Sequence, residues 1–583
     1  MTARKCWMKS LNLHTKELTM LKDNSFTVAD YLLTRLRQLG LRKVFQVPGD
    51  YVSEFMEALE KFDGVEAVGD INELGAGYAA DGYARFAGIG AVSVQYGVGT
   101  FSVLNAVAGS YVERNPVVVI SASPSAQDRL IIRDKGVLFH HSTGNLSADK
   151  KVFEQVTVAA EILSNAAEAP LQIDRALTAA ISKRRPIYLE AWRNVWGEPC
   201  RQPEHPLRPQ PPVSDRASLR AVVDETLQRL INARRGVIML GIEIARYGLQ
   251  EQALRMVEAS GLPFTTTLEA KSVLDESHPQ FIGAYAGAAS CPGTREYMKN
   301  VDCILALGVI FTDDYLDLMQ SDFSNIILVN DEQVRVGYEY FRNVAMTDYI
   351  DGLSAHIKSK NGFPHPLIKV HLDDGECAGW NTELGAQLTY NIFFDQLTHF
   401  FQKQRLLSEI ELILGESSSL YVASNINGLP QNSFIADAIW GSLGHETGCA
   451  IGVAMASGKR PYVVAGDGGF MMMCQSLSTL ARNRVNAVIF VMSNGVYAIE
   501  QAFVDIKAFT PEGRFAPFDV LPQWDYQSLA KAYGAMGYRA QTIDELQKIL
   551  LDVESLVDCP ALVEIVIPQK DLAPQIRRLA KPS

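Results

Sequence analysis

Short apolar runs punctuate this chain, and amphipathic stretches fill the intervals between them. The runs fall at residues 44–47, 91–95, 116–121 and 186–190, then 236–241, 263–267 and 303–308, then 419–423, 462–465, 487–492 and 561–566. An apolar run of this length suits a strand buried on both faces, and helical periodicity between runs suits crossover helices. The pattern predicts an α/β chain built of doubly wound parallel sheets.

Two proline-rich stretches break the rhythm. Residues 196–212 (WGEPCRQPEHPLRPQPP) carry six prolines, and residues 358–366 (KSKNGFPHP) form a weaker break. Both read as linkers, so three domains are expected. The divisions are an N-terminal extension 1–25, a first domain 26–195, a middle domain 196–370 that includes the proline-rich linker, a last domain 371–570 and a tail 571–583. Thr27 stands where it can cap the first helix, and the closing IRRLAKPS is expected to fray. A length of 583 residues agrees with three or four domains.

Composition excludes several functions. A net charge of −12 without a dense basic run argues against nucleic-acid binding. No apolar stretch approaches the length of a membrane span, and the N-terminal 25 residues lack the apolar centre of a secretory signal. Eight scattered cysteines with no CxxC pair suit reduced thiols, so the cytoplasm is the expected compartment.

The candidate chemistry begins at Gly466-Asp467-Gly468, which follows the apolar run 462–465, and at Asn494, which follows the run 487–492. In a parallel sheet two such strand tips meet at the carboxyl edge, where ligands bind. Asp467 and Asn494 offer hard oxygens to a divalent cation that keeps diphosphate oxygens in its shell. Flanking glycines let backbone N–H groups approach an anion. An isolated Gly-Asp-Gly is more often a turn, so the strand–helix–strand order around it carries the specificity. Elsewhere Ile71-Asn72-Glu73-Leu74 precedes GAGYAADGYAR, a helix whose small residues Gly75, Ala76, Ala79 and Ala80 permit close packing. Glu73 near its start is favoured by the helix dipole.

Further segments join these two: Val47-Pro48-Gly49-Asp50, Tyr96-Gly97-Val98-Gly99, Phe139-His140-His141-Ser142 and Trp440-Gly441-Ser442-Leu443-Gly444. With them the chain, from Thr27 to about Pro568, resembles the thiamin-diphosphate-dependent 2-oxo acid decarboxylases, the pyruvate and indolepyruvate decarboxylase group. The resemblance implies three doubly wound α/β domains, pyrimidine-binding, middle and diphosphate-binding. It implies thiamin diphosphate and Mg2+ as cofactors, with Asp467, Asn494 and the Val496 carbonyl holding the metal. Gly466, Gly468 and Gly469 would face the diphosphate, Leu443 would wedge the cofactor into a bent shape, and the Gly441 carbonyl would accept from its exocyclic amine. Glu73 would hydrogen-bond the aminopyrimidine, while Asp50, His140, His141 and Glu500 would move protons. Ile499 and Phe503 would shape the substrate pocket.

The implied reaction is that of a carboxy-lyase: a 2-oxo acid loses carbon dioxide and leaves as an aldehyde, through the cofactor's C2 carbanion and an enamine. A homodimer or homotetramer is implied, with Glu73 and Asp467 reaching one cofactor from different chains. The alternative is a carboligase of the acetolactate synthase type, against which His140, His141 and Glu500 stand; a catalytically silent member is a third reading. The chain departs from the pattern at Ser493, at Gly469 where relatives often carry serine, and in residues 500–524. Residues 423–429 (ASNINGL) stand where an acidic residue and Gly-Thr-Ser are expected. Pyruvate, branched aliphatic and aryl substrates all stay open.

Overall fold

The computed structural model describes residues 26–319, 323–331, 333–359, 363, 383 and 385–580. Three sheets carry the apolar runs. The first contains β1 (Lys43–Gln46), β2 (Glu66–Gly69), β3 (Gly90–Ser93), β4 (Val117–Ser123), β5 (Ala159–Leu163) and β6 (Ile187–Trp192). Its order is β2-β1-β3-β4-β6-β5, parallel throughout. The middle sheet contains β7 (Gly236–Leu240), β8 (Phe264–Thr267), β9 (Phe281–Tyr285), β10 (Cys303–Leu307), β11 (Ile326–Asn330), β12 (Gln333–Val336) and β13 (Glu339–Arg342). It runs β13-β12-β11-β10-β7-β8-β9, and only β12 and β13 at its edge pair antiparallel.

The last sheet contains β14 (Ile410–Leu414), β15 (Phe434–Ala436), β16 (Arg460–Gly466), β17 (Val488–Ser493), β18 (Met536–Ala540) and β19 (Ala561–Val566), in the parallel order β15-β14-β16-β17-β19-β18. Its central strands are buried along nearly their whole length, which is why they read as unbroken apolar runs. Thr27 caps the helix Val28–Gln38 in a capping box with Asp30. Among the described residues no helix is long and apolar enough to cross a membrane, and the six described cysteines are free thiols.

Two readings change. Residues 419–423 are not a strand: Ser418–Ala423 is a helix whose N-cap, Ser417, accepts from Ser419 N, and the strand is β14, nine residues earlier. A short buried apolar run does not distinguish the two states. The C-terminal segment does not fray as far as it is described: Pro574–Leu579 is a helix, and Arg578 Nε donates to Ala288 O of the middle domain at 2.8 Å. The weaker linker at 358–366 lies mostly outside the described residues, as does the extension 1–25.

The first and last domains share one apolar core, in which Val119 and Leu189 join Ile413 and Val463. Two helices cross at its centre, Glu73–Ala87 and His445–Ser457. A Cβ on Gly82 would lie 2.5 Å from Cys449 O, and one on Gly452 only 1.8 Å from Ala79 O. Glycine alone permits that approach.

Candidate active site

The strand tips of the last sheet assemble the centre of the site. β16 and β17 pair in parallel with Gly466 opposite Met492, so the residues just beyond, Asp467 and Asn494, emerge side by side. Asp467 opens the helix Asp467–Met473. Its Oδ1 accepts from Gly468 N at 3.0 Å, and its Oδ2 accepts from Asn494 N at 3.1 Å and Gly495 N at 2.7 Å. Burial pushes this carboxyl up to about 6 against the opposing pull of those N–H groups. Asn494 Nδ2 donates to the Tyr390 hydroxyl at 3.0 Å, and its Oδ1 accepts from Val496 N at 3.2 Å.

A cavity of about 110 Å³ opens beside these groups. Gly466, Gly468, Gly469, Gly441, Leu443 and Val496 contribute to its wall, as do Ile499 and Glu500. Gly468 carries the Tyr497 ring, since a Cβ there would lie 2.2 Å from Tyr497 Cε1. The departure at Gly469 has a local cause: a Cβ there would lie 2.9 Å from Oε1 of Glu446. Burial of Glu446 raises its carboxyl to about 7. Gly441 and Gly444 bracket Leu443 with φ of +68° and +91°, turning the segment so that the leucine enters the cavity.

The remaining candidates gather at the carboxyl edge of the first sheet. Asp50 follows β1 and accepts from Gln95 Nε2 at 2.7 Å. Glu73 follows β2 as the first residue of its helix, where Asn72 caps by accepting from Gly75 N. Its Oε1 faces Gly99, 3.6 Å from where a Cβ would stand. His141 packs edge-on against the rings of Tyr51 and Tyr96, with centroids 6.3 and 6.0 Å away. The Tyr96 hydroxyl donates to the carbonyl of His140. His141 has a left-handed φ of +67°, and Gly97 gives its carbonyl room, because a Cβ at Gly97 would lie 2.0 Å from that oxygen.

The candidates thus form two groups. Asp467, Asn494, Val496, Leu443, Ile499 and Glu500 with the glycines line one cavity, whereas Asp50, Glu73, His140 and His141 do not line it within the single chain. Phe503 also falls outside: the helix Ala498–Asp505 carries it one turn beyond Ile499, where it is 59% exposed. Residues 423–429 face elsewhere, since Asn425 Nδ2 donates to Ala289 O of the middle domain and Asn427 Nδ2 donates to Asn425 O. Their place is taken by Glu416, Ser417 and Ser418, which line the cavity just past β14. Glu416, Tyr390 and Glu446 escape a motif search; a carboxylate directly after an apolar strand is the signal that finds Glu416.

The donor set suits a divalent cation bridging to a diphosphate. It offers one carboxylate, one amide oxygen and a backbone carbonyl, which leaves other positions to diphosphate oxygens and water. Among the described residues no group of three or more His, Cys, Asp or Glu side chains could hold a metal, so the site is not a metal cage complete in itself. Three α/β domains whose last sheet ends in such a glycine-walled cradle, with Leu443 on its wall, point to the class of thiamin-diphosphate enzymes.

Comparison with known proteins reaches the same class independently. Residues 26–151 match the thiamine pyrophosphate enzyme N-terminal TPP binding domain, residues 223–352 the central domain, and residues 417–565 the C-terminal TPP binding domain. A pyruvate decarboxylase of Aspergillus fumigatus is 31% identical over 579 residues, covering 95% of this chain and 96% of that protein. An alpha-keto-acid decarboxylase of Mycobacterium leprae is 30% identical over 569 residues, covering 96% of each. One of Mycolicibacterium paratuberculosis is 31% identical over 570 residues, covering 96% of this chain and 97% of that protein. The chain belongs to the thiamine pyrophosphate enzyme family.

Proposed function

We propose that this enzyme decarboxylates a 2-oxo acid to an aldehyde and carbon dioxide, with thiamin diphosphate held through Mg2+ by Asp467, Asn494 and the Val496 carbonyl. One observation carries the reading: Asp467 and Asn494 line the same cavity as Leu443 and Glu500. A cofactor held there by its diphosphate would share the cavity with a proton-transfer group. The names of the relatives, pyruvate decarboxylase and alpha-keto-acid decarboxylase, support the same activity. When bound, the cofactor supplies the electron sink that lets carbon dioxide leave.

The chain's own residues supply the rest. Leu443 and the Gly441 carbonyl line the cavity where they would hold the cofactor's bend and its amine. Glu73 hydrogen-bonds the pyrimidine. Asp50, His140, His141 and Glu500 hold and return the proton that the departing carboxylate leaves owed to carbon. The working unit is a homodimer or homotetramer in the cytoplasm, with the first domain of one subunit closing the cavity of another. Large apolar side chains left exposed beside both groups, Val98, Leu138, Trp440 and Met472, support that closure.

The test is a panel of 2-oxo acids incubated with the protein, thiamin diphosphate and Mg2+, reading carbon dioxide and aldehyde in equal amounts. Omission of the cofactor or chelation of the metal should stop both. Carbon–carbon bond formation without aldehyde would replace this reading with carboligation.

A further inference from the structure

We infer that Glu416, which takes the place of the expected acidic residue and has no assigned role, faces the reacting 2-oxo acid and donates its carboxyl O–H to the substrate carboxylate. The inference rests on the decarboxylase reading and adds a substrate-binding group to it. Glu416 lies two residues past β14, on the cavity wall with Leu443, Ile499 and Glu500. Its Cγ lies 3.7 Å from the position of a Cβ on Gly441. That places it at the wedge end of the cavity. Among the described residues its carboxyl makes no hydrogen bond or ion pair. A partly buried carboxyl that opens on a cavity and lacks a protein partner is placed for a ligand.

Charge decides which form of the group serves. The carboxyls that act on it are Asp314 of the middle domain, Glu500 on the helix Ala498–Asp505, Glu446 on the helix His445–Ser457 and Glu113 of the first domain, and the Tyr421 phenol on the helix Ser418–Ala423 also faces it. Asp467 stands on the same cavity wall. An ionised Glu416 would add to this wall and repel the anion of a 2-oxo acid. Burial first, and then those neighbours, push the carboxyl up to about 8. At pH 7 it is mostly neutral and carries the proton a carboxylate can accept. As pH rises through that value the donor becomes a second anion, so KM should rise while cofactor binding is retained.

Steady-state kinetics of the holoenzyme from pH 6 to 9, with the best 2-oxo acid of the panel, test this on Glu416→Gln and Glu416→Ala. The amide stays uncharged and keeps an N–H donor. Glu416→Gln should hold KM near the wild-type value at pH 7 and abolish the alkaline rise in KM. Glu416→Ala should raise KM at pH 7 by about tenfold or more, as for a lost hydrogen bond to a charged group, with a smaller change in kcat. An alkaline rise in KM that persists in Glu416→Gln would overturn the assignment, and that profile decides even if Glu416→Ala fails to fold. Wild-type turnover with unresponsive variants removes only the role of Glu416. Absence of carbon dioxide from every 2-oxo acid removes the function itself, and this role with it.

Discussion

At the scale of single residues, the site separates groups held by the backbone from groups held by their surroundings. Asp467 has both oxygens committed to three backbone N–H donors, so its lone pairs toward the cavity are aimed before any ligand arrives. Such a position follows from local spacing, which is why Asp467 and Asn494 are legible in the sequence. Glu416 is not, because its place depends on where β14 ends, and the run at 419–423 imitates a strand. Glu73 is legible only through the helix it starts. Its proposed contact to the pyrimidine is tested by Glu73→Gln, which keeps the shape and the Asn72 cap but changes the proton the side chain offers. Turnover should fall roughly 100-fold or more. The thermal midpoint should stay within about 2 °C of wild type. A variant retaining full turnover in aldehyde release assays would remove Glu73 from the chemistry.

At the scale of elements, the crossing of Glu73–Ala87 with His445–Ser457 connects stability to the site, because Glu73 and Leu443 lie at or beside the starts of these two helices. The small-residue spacing of GAGYAADGYAR announces a close crossing, yet its partner is not readable from it. Gly448 and Gly452 on the second helix answer it, and a Cβ at Gly448 would lie 2.7 Å from Tyr78 Cδ2. Gly452→Ala must force two backbones apart and should destabilise the protein by about 3 kcal/mol or more. Gly352→Ala is the contrast. It lies inside the helix Met346–Ser359, and its Cβ would meet nothing closer than Val223 Cγ2 at 3.6 Å. That change should stabilise its helix by about 0.5–1 kcal/mol, since alanine has less chain entropy to lose. Denaturant midpoints compare the two. Equal effects would mean that the crossing yields, and that the glycines are not what sets its distance.

At the scale of the whole molecule, the two groups of candidate residues ask for a second chain. Two of the first-domain group, Asp50 and Glu73, follow β1 and β2, while the cavity belongs to the tips of β14, β16 and β17. Parallel sheets put all of these at carboxyl edges, so each domain presents its candidates on one face. Domain order and sheet class are readable from apolar rhythm, but the proposed meeting of two faces across subunits is not, since periodicity reports burial within a chain. Subunit complementation tests the meeting directly. Glu73→Gln and Asp467→Asn each disable a different half-site, and each should be nearly inactive alone. In a mixed dimer with shared sites, one site collects both substitutions and its twin collects neither. Random pairing makes half the dimers mixed, each with one intact site of two, so coexpression should restore about one quarter of wild-type activity. If each chain completed its own site, every site would carry one lesion, and coexpression would yield no more than the two variants separately.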